Sequence, residues 1–201
     1  MEAQDIPTIG RYLAPNHIEL LMKGSNIASE IIEERGYFTA TEPEELIDLG
    51  FGSVQACVPA LVIPVRDVSG EVVFHRIRPD NPRPDAKRPG KFRKYEQPQD
   101  TPIVLDVPPR TYEYLPDRSR RLWIVEGERK VDALVSRGEL AVGLLGVWAW
   151  KRGGLPLPDW DHIHIVGREV VVCFDSDASW KANVRMARAK LSHYLSERGA
   201  G

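Results

Sequence analysis

Apolar and polar positions along this chain change their spacing twice, and each change marks a different kind of structure. Over the first 55 residues the apolar side chains fall in short clusters, HIELLMKG, SNIASEIIEERG and TEPEELIDLG, each bounded by a capping residue or a glycine. This predicts short helices joined by turns, with Ser25 and Thr41 as N-caps, Glu44 completing a capping box after Thr41, and Gly24, Gly36 and Gly50 as stops. The segment offers a helical docking surface and no recognisable chemistry. From Ala60 to Pro79 the pattern becomes β-rich, two runs of LVIPVRDVSGEVVFHRIR separated by Asp67-Val68-Ser69-Gly70, which predicts a hairpin. The following NPRPDAKRPGKFRKYEQP holds too many prolines for a helix or a central strand, so it reads as an exposed loop.

From Leu122 onward short apolar runs alternate with amphipathic ones. LWIV, LAVGLL and REVVVCF read as strands, and a helix from Glu128 to Arg137 stops at Gly138. Strands alternating with helices imply right-handed crossovers and a parallel sheet. A last helix from Ala178 to about Glu197 places Val184, Ala187, Leu191, Tyr194 and Leu195 on one face.

Composition adds limits. Hydrophobic residues make up 42% and charged residues 28%, as in ordinary folding chains, and 201 residues allow one or two domains. No apolar stretch approaches the roughly 20 residues that cross a bilayer, and MEAQDIPTIG lacks the blocks of a signal peptide, so a cytoplasmic protein without membrane contact is expected. Cys57 and Cys173 cannot form the paired CxxC ligands of a zinc ribbon, and Cys173 within VVVCF reads as a small buried thiol. The net charge of −2 argues against a uniformly nucleic-acid-binding surface. Its distribution does not: Arg76, Arg78, Arg83, Lys87, Arg88, Lys91, Arg93 and Lys94 face only Asp80 and Asp85 within 76–95, while Glu30 to Asp48 is acidic.

Two acidic motifs sit where strands end. Glu126 follows LWIV directly and Asp175-Ser176-Asp177 follows VVVCF. In open α/β sheets ligands gather at the carboxyl ends of strands, and hard carboxylate oxygens there suit Mg²⁺ and phosphate. Gly127 leaves room for a close backbone or phosphate approach at the start of a helix. Taken singly, each acid reads more readily as a solvated loop acid or a helix cap; together, each at a strand end, they point to a site.

The strings VEGERKVDAL and VVVCFDSDASWKANVRMA, an E-G motif and a later D-x-D, resemble the TOPRIM domain shared by bacterial primases, phage primase-helicases and topoisomerases. Upstream, LVIPVRDVSGEVVFHRIRPD with KFRKYEQP is similar to the N-terminal lobe of the bacterial primase catalytic core, and the likeness spans about Ile63 to Arg188. RIRPDNPR and GVW-W are similar to strings in the uncharacterised TOPRIM-like domains of phage and mobile-element replication proteins. The resemblance implies an α/β fold, a TOPRIM-like parallel sheet flanked by helices over 119–201, preceded by a helical segment (1–55) and an α+β basic lobe (56–118). It implies Glu126 as general acid/base or metal-linked carboxylate, with Asp175 and Asp177 holding Mg²⁺ or Mn²⁺. Arg76, Arg78, Lys91, Arg93 and Lys94 would meet template or nucleotide phosphates, and Tyr95 would stack on a base or pack within its own loop. The implied activity is Mg²⁺-dependent primer synthesis on single-stranded DNA from nucleoside triphosphates, with a replicative helicase or helicase domain as partner. A binding module without catalysis, or a TOPRIM nuclease, are the alternatives.

The family pattern breaks at two points. Lys130 stands where bacterial primases have an acid, with Asp132 two positions on, so Lys130 could touch phosphate instead of metal; and Gly201 is reached before any third acidic motif, which predicts a fragment of a longer protein. No G-x-x-x-x-G-K-[ST] loop is present and no room remains for a strand-cleaving tyrosine domain, which argues against a P-loop helicase or a topoisomerase. His162 and His164 in DHIHIV predict a half-exposed strand ahead of paired metal ligands, and Trp148, Trp150 and Trp160 predict a packed cluster ahead of a stacking surface.

Overall fold

The computed structural model describes residues 11–175 and 181–201. The chain divides into two compact units. One runs to Val65 and resumes over Val72–Thr101; the other comprises Arg66–Glu71 and Pro102–Gly201.

In the first unit α1 (Pro15–Met22) and α2 (Ser29–Arg35) precede β1 (Phe38–Ala40), and α3 (Pro43–Asp48) follows it. β2 (Ala60–Arg66) and β3 (Val72–Pro79) complete a sheet of order β1-β2-β3. The three expected helices form, but the capping box lies one residue later than the spacing suggested. Glu42 is the N-cap and the Glu45 carboxylate accepts its backbone N–H at 3.0 Å, because Pro43 has the fixed φ suited to the first helical position. Ser25 likewise is not the cap of α2, which starts after Ala28. β1 was not legible as a strand; it forms because Phe38, Thr39 and Ala40 pair antiparallel with Val62, Leu61 and Ala60 and are all buried. Phe38, Ala40, Leu46, Phe51, Val62 and Ile77 make the core. Buried His17 joins three segments, with Nδ1 2.7 Å from Thr39 Oγ1 and Nε2 2.8 Å from Asp80 Oδ1.

The second unit holds the turn of the expected hairpin, where the Asp67 N–H donates to Glu71 O at 3.1 Å. It continues through β4 (Leu105–Asp106), α4 (Pro109–Tyr112), β5 (Leu122–Glu126), α5 (Glu128–Val135), β6 (Leu140–Leu144), the ribbon β7 (Lys151–Arg152) and β8 (Leu155–Pro156), a 3-10 turn (Pro158–His162), β9 (Val170–Cys173) and α6 (Ala182–Glu197). The sheet order is β4-β6-β5-β9; β5 is parallel to both neighbours and β4 antiparallel to β6. Gly143 of β6 allows this packing, since a Cβ there would lie 2.9 Å from Val131 Cγ2 and 3.1 Å from Asp106 Cβ. The core gathers Leu122, Ile124, Val142 and Leu144 from the strands with Leu191 and Leu195 from α6, the face expected of that helix.

Three expectations change. Cys173 is exposed: β9 is an edge strand whose Val170 and Val172 pack against the core that includes α6, and Cys173 ends it on the opposite side. DHIHIV is no strand. Its alternation is real, with Ile163 and Ile165 buried and both histidines exposed, but the segment is a 3-10 turn followed by irregular chain without a ladder partner. Of the tryptophans, Trp150 and Trp160 do form a packed cluster with Tyr194, ring centroids 5.4 and 5.9 Å away, while Trp148 is only half-buried. No helix among the described residues is long and apolar enough to cross a membrane.

Candidate functional site

The acidic edge is built by strand register. Leu122 to Val125 of β5 pair with Val170 to Cys173 of β9, so the two strands finish level, and Glu126 and Asp175 leave the sheet at the same carboxyl end. Gly127 then turns the chain at φ +90°, where its missing Cβ would meet nothing within 4 Å, and α5 begins at once. The positive φ demands glycine and the space above it is open, as the sequence suggested. Glu126 is half-buried and Asp175 exposed; Asp177 lies outside the described residues.

The third component of this edge is a cation. Lys130, in the first turn of α5, places Nζ on Asp175 Oδ1, with the two side chains 46% and 51% exposed. Among the described residues no three His, Cys, Asp or Glu side chains converge as metal ligands. One acid of the expected set, Asp175, is thus already paired with Lys130. Asp132, two positions beyond, is buried within α5.

The basic segment belongs to the first unit and is ordered by its own acids. Buried Glu96 takes Arg83 Nε at 2.7 Å and a second guanidinium nitrogen at 2.5 Å, which raises the Arg83 pKa above its ordinary value. Asp85 accepts Arg88 Nε at 2.6 Å and the Lys87 backbone N–H at 3.0 Å, which hold its carboxyl below the usual Asp value, and Arg93 lies 3.7 Å from it. Backbone bonds from Asp85 N to Lys91 O and from Arg93 N to Arg83 O close the segment into a hairpin-like loop. Arg83, Arg88 and Arg93 therefore serve the loop's own structure.

Three of the remaining cations face water. Lys87, Lys91 and Lys94 are exposed and make no ion pair among the described residues. Arg76 and Arg78 are half-buried, and the Arg76 guanidinium lies 5.1 Å from the centre of the Tyr95 ring, so that tyrosine is engaged within its own lobe. The exposed ring is Phe92, 57% accessible and paired through its backbone with Pro84. The sequence reading missed it. An aromatic between Lys91 and Arg93 was a visible signal, but only the fold shows which ring of the loop faces solvent.

Residues 113–201 match a family model described as a domain of unknown function (DUF3854). No curated protein matches the chain. Among solved structures it is similar to the Aquifex aeolicus primase (zinc binding and RNA polymerase domains), with TM-score 0.62 and 17% identity over 93% of this chain and 48% of that one. The DnaG primase catalytic domain bound to ssDNA gives TM-score 0.54 and 19% identity over 87% of this chain and 57% of the other. A DNA primase domain from Pseudomonas aeruginosa gives 0.54 and 19% over 86% and 57%. The fold is TOPRIM-like and resembles that of the primase catalytic core. The chain spans about half the length of the primase structures it matches.

Proposed function

We propose that the chain is a nucleic-acid-binding module on a primase-type fold, that its 81–95 loop holds single-stranded DNA, and that it serves a phage or mobile-element replication protein beside a helicase. The observation that supports this reading most is the division of labour in the loop. Asp85 and Glu96 engage the arginines that shape it, leaving Lys87, Lys91 and Lys94 beside an exposed Phe92. Lysines neutralise phosphates and an aromatic face takes a base without regard to sequence, which together describe a single-strand surface.

A second reading is Mg²⁺-dependent nucleotidyl transfer from nucleoside triphosphates. It is favoured by Glu126 and Asp175 leaving adjacent parallel strands at one end; the Lys130 ammonium on Asp175 weighs against it. Fluorescence anisotropy with labelled single strands over a salt series tests the first reading. The Lys91→Ala/Lys94→Ala double variant should flatten the log–log salt slope by about 1.4, since each lost phosphate contact on a single strand is worth about 0.7. Glu126→Gln and Asp175→Asn should leave binding intact. Primer synthesis or strand cleavage that needs Glu126 and Asp175 would move the assignment to the second reading or to a nuclease.

A further inference from the structure

We propose that the Lys130 ammonium is the resident cation of the acidic edge: it takes the Asp175 carboxylate that a divalent ion would otherwise hold, and metal and lysine compete for it. The inference stands on the ion pair and is independent of DNA binding by the loop.

The geometry follows from local structure. β5 ends at Glu126, Gly127 turns the chain, and Lys130 occupies the third position of α5, its N–H donating to Gly127 O at 3.3 Å. That position points a long side chain toward the end of the neighbouring strand β9, and Asp175 lies two residues beyond that strand. An acid at 130 would add negative charge beside Asp175, and a hydrated divalent ion would be needed to offset it. Lysine adds a compact positive charge with three donors on a flexible stem, so the offset is covalently attached. Among the described residues Asp175 is the ion-pair partner of this ammonium, and both side chains reach water, so the pair is exchangeable and not locked. A divalent ion arriving here meets a carboxylate already matched and a like charge beside it, and both lower its affinity.

The test is Mn²⁺ binding to the full chain without nucleic acid, read by electron paramagnetic resonance of the free ion. Wild type should bind weakly, and Lys130→Met should bind about tenfold more tightly or better. Adding Asp175→Asn to Lys130→Met should abolish that gain. Unchanged or weaker Mn²⁺ binding in Lys130→Met overturns the proposal, as does a gain that survives Asp175→Asn. Lys130→Gln repeats the measurement with a polar side chain, and circular dichroism establishes that each variant is folded. Because no DNA is present, failure here leaves the single-strand reading untouched, and loss of DNA binding in the lysine loop variants leaves this proposal untouched.

Discussion

Arg83 grips Glu96 through two parallel hydrogen bonds, one from Nε at 2.7 Å and one from a terminal nitrogen at 2.5 Å, across 13 residues of the basic loop. The Glu96 side chain is 1% exposed and its backbone pairs with Ile77 in both directions, at 2.9 and 3.0 Å. Removing the guanidinium leaves a buried carboxylate with a long hydrogen bond from Gln55 Nε2 at 3.4 Å, the costly way to break an ion pair. Because Arg83 is itself 27% exposed, water relieves part of that cost, and Arg83→Met should lose about 1.5–2 kcal/mol of local stability. Hydrogen exchange of the Ile77 and Glu96 amides should then speed up about 10- to 30-fold. Arg88→Ala, at a side chain 69% exposed, should change it by less than about threefold.

Asp85 sets the acid limit of the same loop. Its carboxyl is held below the ordinary value, first by the Arg88 hydrogen bond and then by the Lys87 N–H. A carboxyl depressed in the folded state contributes stability that is present above the unfolded Asp value, about 3.9, and is lost as pH falls through the lower folded value. The loop should therefore resist pepsin near pH 4 and open only at more acid pH, whereas Asp85→Asn should be cut between Pro84 and Phe92 throughout. Equal cleavage of both proteins at pH 4 would show that Asp85 does not close the loop.

What could be read in advance divides along physical lines. LWIV, LAVGLL and VVVCF announce themselves because strands buried in a parallel sheet need apolar side chains on both faces. Cys173 breaks the rule because it ends an edge strand, a position that depends on the order of strands in space, and is left exposed there. β4 escaped notice because two residues, Leu105 and Asp106, are too few to show a period, and their strand exists through pairing with Leu144 and Gly143. At the acidic edge, the strand-end positions of Glu126 and Asp175 were legible from the apolar runs before them. The meeting of Lys130 with Asp175 was not, because it joins a helix turn to the tip of a strand 45 positions away by number. Tyr95 and Phe92 were equally aromatic on paper; the cation beneath Tyr95 separates them.

Asp159 gives the second unit the opposite pH response. Burial raises its carboxyl above the ordinary value, although the Leu105 N–H donates to Oδ2 at 2.7 Å. A folded state that holds a proton more tightly than the unfolded one is most stable below the unfolded value, and loses that stability as pH rises through the folded value. Asp159→Asn keeps an acceptor for Leu105 and removes the charge. The stability of the variant relative to wild type should therefore grow from about pH 4 upward, near the ordinary Asp value. All five tryptophans fall between Trp123 and Trp180, so urea denaturation read by tryptophan fluorescence reports on the second unit. A pH-independent difference between the two proteins would rule out a perturbed Asp159.

Phe92 offers the sharpest separation of stacking from charge. Its ring is 57% exposed on a loop held from within by Asp85 and Glu96, so truncation removes a contact surface without opening a core. Stacking of one base on an aromatic ring contributes about 1–3 kcal/mol, so Phe92→Ala should weaken single-strand binding about tenfold or more, and Phe92→Trp should retain it. Stacking releases no counterions. The Phe92→Ala line should therefore run parallel to wild type on a log–log salt plot, displaced but with the same slope, whereas the lysine variants should change the slope. Tyr95→Leu provides the contrast: with its ring engaged by Arg76, it should alter the stability of the first unit more than affinity. Quenching of 2-aminopurine in the bound strand, lost in Phe92→Ala and kept in Tyr95→Leu, would place a base on Phe92; the reverse pattern would assign the stacking role to Tyr95.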